Sequence, residues 1–285
     1  MTSVPTAGDE PEIQVLADPD AVAVVAAERI AAALVDAAQR RDRADWATTG
    51  GSTPVGIYRE LARSPLRERV PWGDVHVWWG DDRFVPRDHP LSNVLPLDQV
   101  LLRAAALAGL AGDGEAAIDV EHGSEPGAPI PASNIHAMPM TAAIGAAKGT
   151  DWVAEAYDRE LRAASLPESG GIPVFDLVLS GIGGDGHILS VFPGSRVFEA
   201  DDRPWVAGIP APTHIEPKVA RVSLHPGFLA SARLVLVVAF GDGKAEILAD
   251  VLGETRDPGR WPSQHARRAN AVWLLDEASA VKLRH

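Results

Sequence analysis

Short runs of consecutive apolar residues alternate along this chain with longer stretches in which apolar positions return every three or four residues. The first pattern suits strands covered on both faces, and the second suits helices with one buried side. Strands are predicted near Ile13–Leu16, Trp46–Thr49, Val75–Trp79, Phe175–Ser180, Trp205–Ile209, Leu234–Phe240 and Ala271–Leu275. Helices are predicted over Asp20–Arg40, Pro54–Arg63, Thr150–Ala164, Lys244–Leu252 and Glu277–Leu283. Such alternation implies crossover units, so the expected class is α/β in three layers: a mainly parallel sheet with helices on both faces. No linker cuts the chain, and 1–285 reads as one domain. The Gly-, Pro- and Ala-rich stretch 111–131 lacks a period and is expected to be a flexible surface insertion.

Composition narrows the partners. Lys and Arg number 26 against 39 Asp and Glu, a formal charge of −13, and no run of basic residues is present. Nucleic acid and anionic membrane surfaces are therefore not expected as partners, and an anionic ligand has to be met by a small local cluster of cations. The chain has no cysteine, which removes disulfides and thiolate chemistry and fits a reducing compartment. Met1–Pro11 is polar, without the basic start and apolar core of an export signal, and the Ala-rich run Ala21–Ala38 is broken by Glu28, Arg29 and Asp36. A cytoplasmic protein is expected, as a monomer or weak homo-oligomer.

In open parallel sheets ligands sit beyond the carboxyl ends of strands, so the loops that follow strands are searched first. Gly50-Gly51-Ser52-Thr53-Pro54 lies between a strand and a helix. It is either a capped turn, with Ser52 or Thr53 as the cap, or an anion site built from the free N–H groups of the helix start. Gly80-Asp81-Asp82-Arg83-Phe84-Val85-Pro86, leading to Ser92-Asn93, is either a solvated turn with an Asp–Arg pair or a holder of sugar hydroxyls and charge, with Asp81 and Arg83 as contacts. Gly181-Ile182-Gly183-Gly184-Asp185-Gly186-His187 crowds glycines beside a histidine that can take a proton near neutral pH. Gly241-Asp242-Gly243-Lys244 sets an ammonium at a helix start, and Arg221 offers a second cation. Trp78 and Trp79 read as packing, and His76 as structural.

The glycines at 181, 183 and 186 also satisfy Gly-x-Gly-x-x-Gly, the dinucleotide fingerprint, with Asp201 or Asp202 downstream. Pro193-Gly194 stops the helix that such a site needs, which argues against a nucleotide. No Gly-x-Ser-x-Gly, no His-Glu-x-x-His and no tight ligand spacing among the nine histidines occurs, so neither a serine nucleophile nor a metal is expected.

In this order and spacing, Gly50–Pro54, Asp81–Pro86 with Ser92-Asn93, Gly181–His187 and Gly241–Lys244 resemble the 6-phosphogluconolactonase family over nearly the whole chain. The resemblance implies a Rossmann-like fold shared with glucosamine-6-phosphate deaminases and ribose-5-phosphate isomerases, no cofactor, and a phosphorylated sugar lactone as substrate. It implies His187 as general base, Arg83 as a substrate arginine, and Lys244 and Arg221 on the phosphate. Asp185 would orient His187 or bind a hydroxyl. Gly50, Gly51, Ser52 and Thr53 would add N–H donors to the phosphate, and Gly183 and Gly184 would bring donors to the oxyanion. Asp82 stands where Glu is usual, and Ile188–Phe192 departs from the family's smaller pattern. A deaminase resembles the chain in two of the loops but continues the histidine loop with Asn-Glu-Pro, where this chain has Ser190-Val191-Phe192-Pro193. A non-catalytic sugar-phosphate sensor is the remaining alternative.

Overall fold

A computed structural model describes residues 10–102, 126–199 and 204–283. In chain order the strands are β1 (Glu12–Leu16), β2 (Ala44–Thr48), β3 (Val75–Trp79), β4 (Asp81–Arg83), β5 (Ile135–His136), β6 (Glu168–Ser169), β7 (Ile172–Pro173), β8 (Leu177–Gly181), β9 (Val206–Ile209), β10 (Arg221–Leu224), β11 (Leu234–Ala239) and β12 (Ala271–Asp276). The helices are α1 (Pro19–Arg41), α2 (Thr53–Leu61), α3 (Leu66–Arg69), α4 (Met140–Gly145), α5 (Thr150–Ala163), α6 (Gly227–Ser231), α7 (Ala245–Val251) and α8 (Glu277–Ala280).

The main sheet has the order β1-β12-β11-β8-β2-β3-β5, and every pairing in it is parallel. Period-two alternation decides which side chain meets which layer. Leu177, Leu179, Leu236, Val238, Val272 and Leu274 point to α1 and α2, whereas Val178, Val235, Val237, Ala271, Trp273 and Leu275 point to α5 and α7. Each large apolar side chain taken out of water contributes ~1.5–3 kcal/mol before conformational entropy is counted. The α1 helix begins where the Asp18 carboxylate accepts the Ala21 N–H at 2.8 Å and ends at Asp42 in the left-handed region, φ 52°.

The α/β class and the layers agree with the sequence pattern, and several details differ. The Trp205–Ile209 strand does not join the main sheet: as β9 it pairs antiparallel with β10, which pairs antiparallel with β4. Gly80–Pro86 is not all loop, because Asp81–Arg83 is a strand in that second sheet. Asp and Arg are poor strand formers in isolation, and here a neighbouring strand supplies the pairing. The tail of the 111–131 stretch is packed: Ala128 and Ile130 are buried, and Arg67 Nε donates to the Gly127 carbonyl at 3.0 Å. Residues 111–125 lie outside the described residues. Trp78 and Trp79 are buried, with indole N–H groups given to Asp45 and the Asn93 carbonyl. His76 pairs with His136 at 2.9 Å.

Candidate active site

Four of the sequence motifs follow β2, β3, β8 and β11, which are consecutive in the sheet order β11-β8-β2-β3. Parallel strands put all their carboxyl ends at one edge, so topology alone gathers loops separated by almost 200 residues of sequence at one pole.

The histidine loop is closed on itself. Gly183 N–H donates to the His187 carbonyl at 2.9 Å and Gly186 N–H to the Gly183 carbonyl at 3.1 Å. Asp185 Oδ1 accepts from His187 N–H at 3.1 Å and lies 2.6 Å from His187 Nδ1. The carboxylate needs a proton on Nδ1, which leaves the Nε2 lone pair as the basic site. Asp185 Oδ2 lies 2.7 Å from Nε2 of His214, a residue the sequence reading passed over. Burial raises the Asp185 carboxyl, but the hydrogen bond and charge of His187 and the hydrogen bond of His214 outweigh it and hold the group well below the ordinary carboxylate range. The Gly183 N–H, expected at the oxyanion, is consumed inside the loop. What Gly183 supplies is clearance, because a Cβ there would stand 2.0 Å from His187 Nδ1. Gly184 is exposed beside it.

Arg83 and Arg221 are direct register partners across β4 and β10, so their side chains leave the same face next to each other. Arg83 Nη1 donates to the Leu91 carbonyl at 2.9 Å and Arg221 Nη2 to the Pro217 carbonyl at 3.3 Å. Neither forms a salt bridge among the described residues, and each has a buried Nε with no hydrogen-bond partner there. Arg221 is only 2% exposed, and its guanidinium lies 5.0 Å from the Phe192 ring centre. Burial, then the Arg83 charge, lowers its pKa, while Asp81 and Asp185 oppose the change. Two adjacent guanidiniums with undirected donors suit a multiply charged oxyanion ligand. Lys244 stands at the end of a 3-10 turn before α7, and its ammonium donates to the Ile182 carbonyl at 2.7 Å. Burial lowers its pKa and the Asp185 charge opposes that.

Asp81 and Asp82 face inward and support the site from below. Asp81 accepts from Ser190 Oγ at 2.5 Å and from Asn93 Nδ2 at 3.2 Å, so its carboxylate is occupied within the protein and does not extend toward a ligand. Asp82 accepts the N–H groups of Asn93 at 2.7 Å and Arg83 at 2.8 Å, yet burial pushes its carboxyl up to about 7. Gly50 is pressed against Asn93, where a Cβ would fall 2.2 Å from the asparagine Cα. Gly51 and Ser52 are exposed and Thr53 is half-buried at the start of α2. Neither hydroxyl caps that helix, because Ser52 is itself in the helical region, φ −75° and ψ −22°, where its side chain does not reach forward. Asn93, Ser190, Phe192 and His214 complete the site: the first three lie in segments the sequence singled out without roles of their own, and His214 in none of them. The hydrogen bonds of Asn93, His214 and Ser190 to the site's aspartates span 11, 29 and 109 positions, so no local spacing marks them. Among the described residues no group of three or more His, Cys, Asp or Glu side chains could hold a metal, and no helix is long and apolar enough to cross a membrane.

The family model for glucosamine-6-phosphate isomerases/6-phosphogluconolactonase matches residues 17–274. A 6-phosphogluconolactonase of Streptomyces coelicolor is 33% identical, covering 96% of this chain and 95% of its own length, and one of Synechocystis is 30% identical, covering 96% and 99%. The solved 6-phosphogluconolactonase of Trypanosoma brucei superposes with a TM-score of 0.77 at 29% identity over 97% of this chain and 100% of that one. A monomeric glucosamine-6-phosphate deaminase shares the fold, with a TM-score of 0.68 at 15% identity. With the matched model running from just after β1 into β12 and taking in all four loops, the chain belongs to the glucosamine-6-phosphate isomerase/6-phosphogluconolactonase family.

Proposed function

We infer that the protein is a carboxylic ester hydrolase that opens 6-phospho-D-glucono-1,5-lactone to 6-phospho-D-gluconate, a step of the pentose phosphate pathway, with His187 activating the water. The observation that carries this reading is the Asp185–His187 pair, 2.6 Å apart, at a strand end beside Arg83, Arg221 and Lys244. Relatives covering nearly the full chain and named 6-phosphogluconolactonase support the substrate. Lys244, Arg221 and the turn at Gly50, Gly51, Ser52 and Thr53, exposed at Gly51 and Ser52, hold the phosphate. His187 Nε2 takes a proton from water as its oxygen bonds to the lactone carbonyl carbon. Arg83 faces the oxygen that becomes negative. Collapse breaks the bond to the ring oxygen, which receives the proton back from the imidazolium, and the carboxylic acid product ionises. A lactone is an activated ester, so this sequence needs only a positioned base and an oxyanion partner. We place this activity in the cytoplasm, in a monomer or weak homo-oligomer of one domain, with no nucleic-acid or membrane partner. The acidic charge and the absence of cysteine support that placement.

The test supplies freshly prepared 6-phosphogluconolactone and follows acid release above the spontaneous rate, with glucosamine 6-phosphate and ammonia release in parallel. Acid release without ammonia is expected. Ammonia release without acid would replace the lactonase with a deaminase, and neither product would leave a sugar-phosphate sensor.

A further inference from the structure

Asp185 has two carboxylate oxygens and uses each on a different histidine. Oδ1 meets Nδ1 of His187 at 2.6 Å and the His187 N–H at 3.1 Å, and Oδ2 meets Nε2 of His214 at 2.7 Å. His214 comes from the connection between β9 and β10, 29 positions away. Its ring stands edge-on to Phe192, 5.8 Å between centres at 87°, and Phe192 packs against His187 at 4.8 Å. The carboxylate therefore joins the two imidazoles, and the phenyl ring packs against both of them.

We propose that His214 is a positioning residue for lactone hydrolysis: it fixes the second oxygen of Asp185, so that the first stays on Nδ1 of His187 and Nε2 stays aimed at the water. This rests on the function inferred above. Asp185 sits between Gly184 and Gly186, neighbours that do little to limit rotation of its backbone or side chain. The ring and N–H of His187 both engage Oδ1, so without a second donor the carboxylate can still pivot about that one oxygen and fixes the ring plane poorly. A donor from a separate segment removes that freedom, as the third member of an acid–base relay does. An exposed His–Asp pair would contribute little. Here the Asp185 side chain is only 16% exposed, with its other oxygen already on the base, so the pair is part of the site. The charged groups around His214 do not compete for the role. Glu216 pairs with Lys218 at 3.6 Å, and Lys244 donates to the Ile182 carbonyl. The side chain of His214 is 48% exposed, so its ring can be replaced without opening the core.

The experiment compares wild type, His214→Leu and His214→Gln in steady-state hydrolysis of 6-phosphogluconolactone, together with the downfield proton spectrum of the ligand-free proteins. In His214→Leu kcat is expected to fall between about tenfold and 10²-fold with KM within about twofold, the signature of a misplaced base. Glutamine keeps an N–H donor within reach of Oδ2, so His214→Gln is expected to recover most of the loss. The resonance of the His187 Nδ1 proton is expected to shift or broaden in His214→Leu and to return in His214→Gln. An unchanged kcat and an unchanged resonance in folded His214→Leu would overturn the proposal. So would a rise in KM at constant kcat, which assigns His214 to substrate contact, or a loss in folded His214→Gln equal to that in His214→Leu. Failure of the wild type to release acid above the spontaneous rate overturns the inferred function instead. The proton spectrum then still decides whether His214 holds the Asp185–His187 pair.

Discussion

Two changes of a few atoms separate the roles of the histidine loop. His187→Ala removes the base and leaves the cationic face intact, so kcat is expected to fall by about 10²–10⁴ with KM near the wild-type value. Steady-state kinetics above spontaneous hydrolysis measures both, and a variant that retains wild-type kcat removes His187 from proton transfer. Gly183→Ala is the finer probe. The added methyl has 2.0 Å to Nδ1 of His187, far inside contact distance, so either the ring or the loop has to move. A displacement of about 1 Å at the reacting group is worth roughly 10²-fold in rate. The expected result is a folded protein with His187 present and kcat reduced on that order. Wild-type turnover in Gly183→Ala would mean that the ring position matters less than the Asp185 contact implies.

The α1 helix packs on α2, β2, β11 and β12, with nine buried side chains on one side, and its amino end is held by a single carboxylate cap at Asp18. Asp18→Ala is expected to lower unfolding free energy by about 1 kcal/mol, read from urea denaturation, with kcat unchanged because the cap's hydrogen bond is made within the first turn of α1. The contrast between α1 and the site elements explains what a single sequence makes legible. Long helices and the apolar strands β3, β8, β11 and β12 announce themselves because burial on one or both sides writes a period into the residues. The glycine loop was legible because its composition is costly anywhere but at a close approach, and the family resemblance then attached roles to His187, Arg83, Arg221 and Lys244. Strands β4 and β10 were not legible: β4 is three charged residues and β10 only four residues long, and each becomes a strand through pairing with distant segments, β4 on β10 and β10 on both β4 and β9. The same long-range pairing hid the side-by-side arginines, the inward turn of Asp81 and the His214 contact, none of which leaves a local trace.

The molecule as a whole carries −13, and two of its carboxyls pull its stability in opposite directions as pH changes. Asp82 is held near 7 in the folded protein against an ordinary value of 3.8. Between those values the native state keeps a proton that the unfolded chain gives up, so this group makes stability fall as pH rises through that window. Asp185 has the opposite sign: held below its ordinary value, it contributes stability above that value and loses it as pH falls further. His76, lowered by burial to about 4, pulls the other way over part of that window, so the test is the difference: urea midpoints measured from about pH 4.5 to about pH 7.5 should rise with pH more, or fall less, in Asp82→Asn than in wild type. An identical slope in the variant would show that Asp82 does not carry the native proton. The order of strands has a different kind of consequence, one for the growing chain. Strand β8 lies between β2 and β11, yet its residues, 177–181, follow β2 by more than a hundred positions. Until that segment emerges during synthesis, Trp46 and Ala47 belong to an apolar strand with one uncovered side, a surface that invites wrong pairing. The histidine loop begins where β8 ends, so it comes to face its partner loops only once the gap in the sheet is filled.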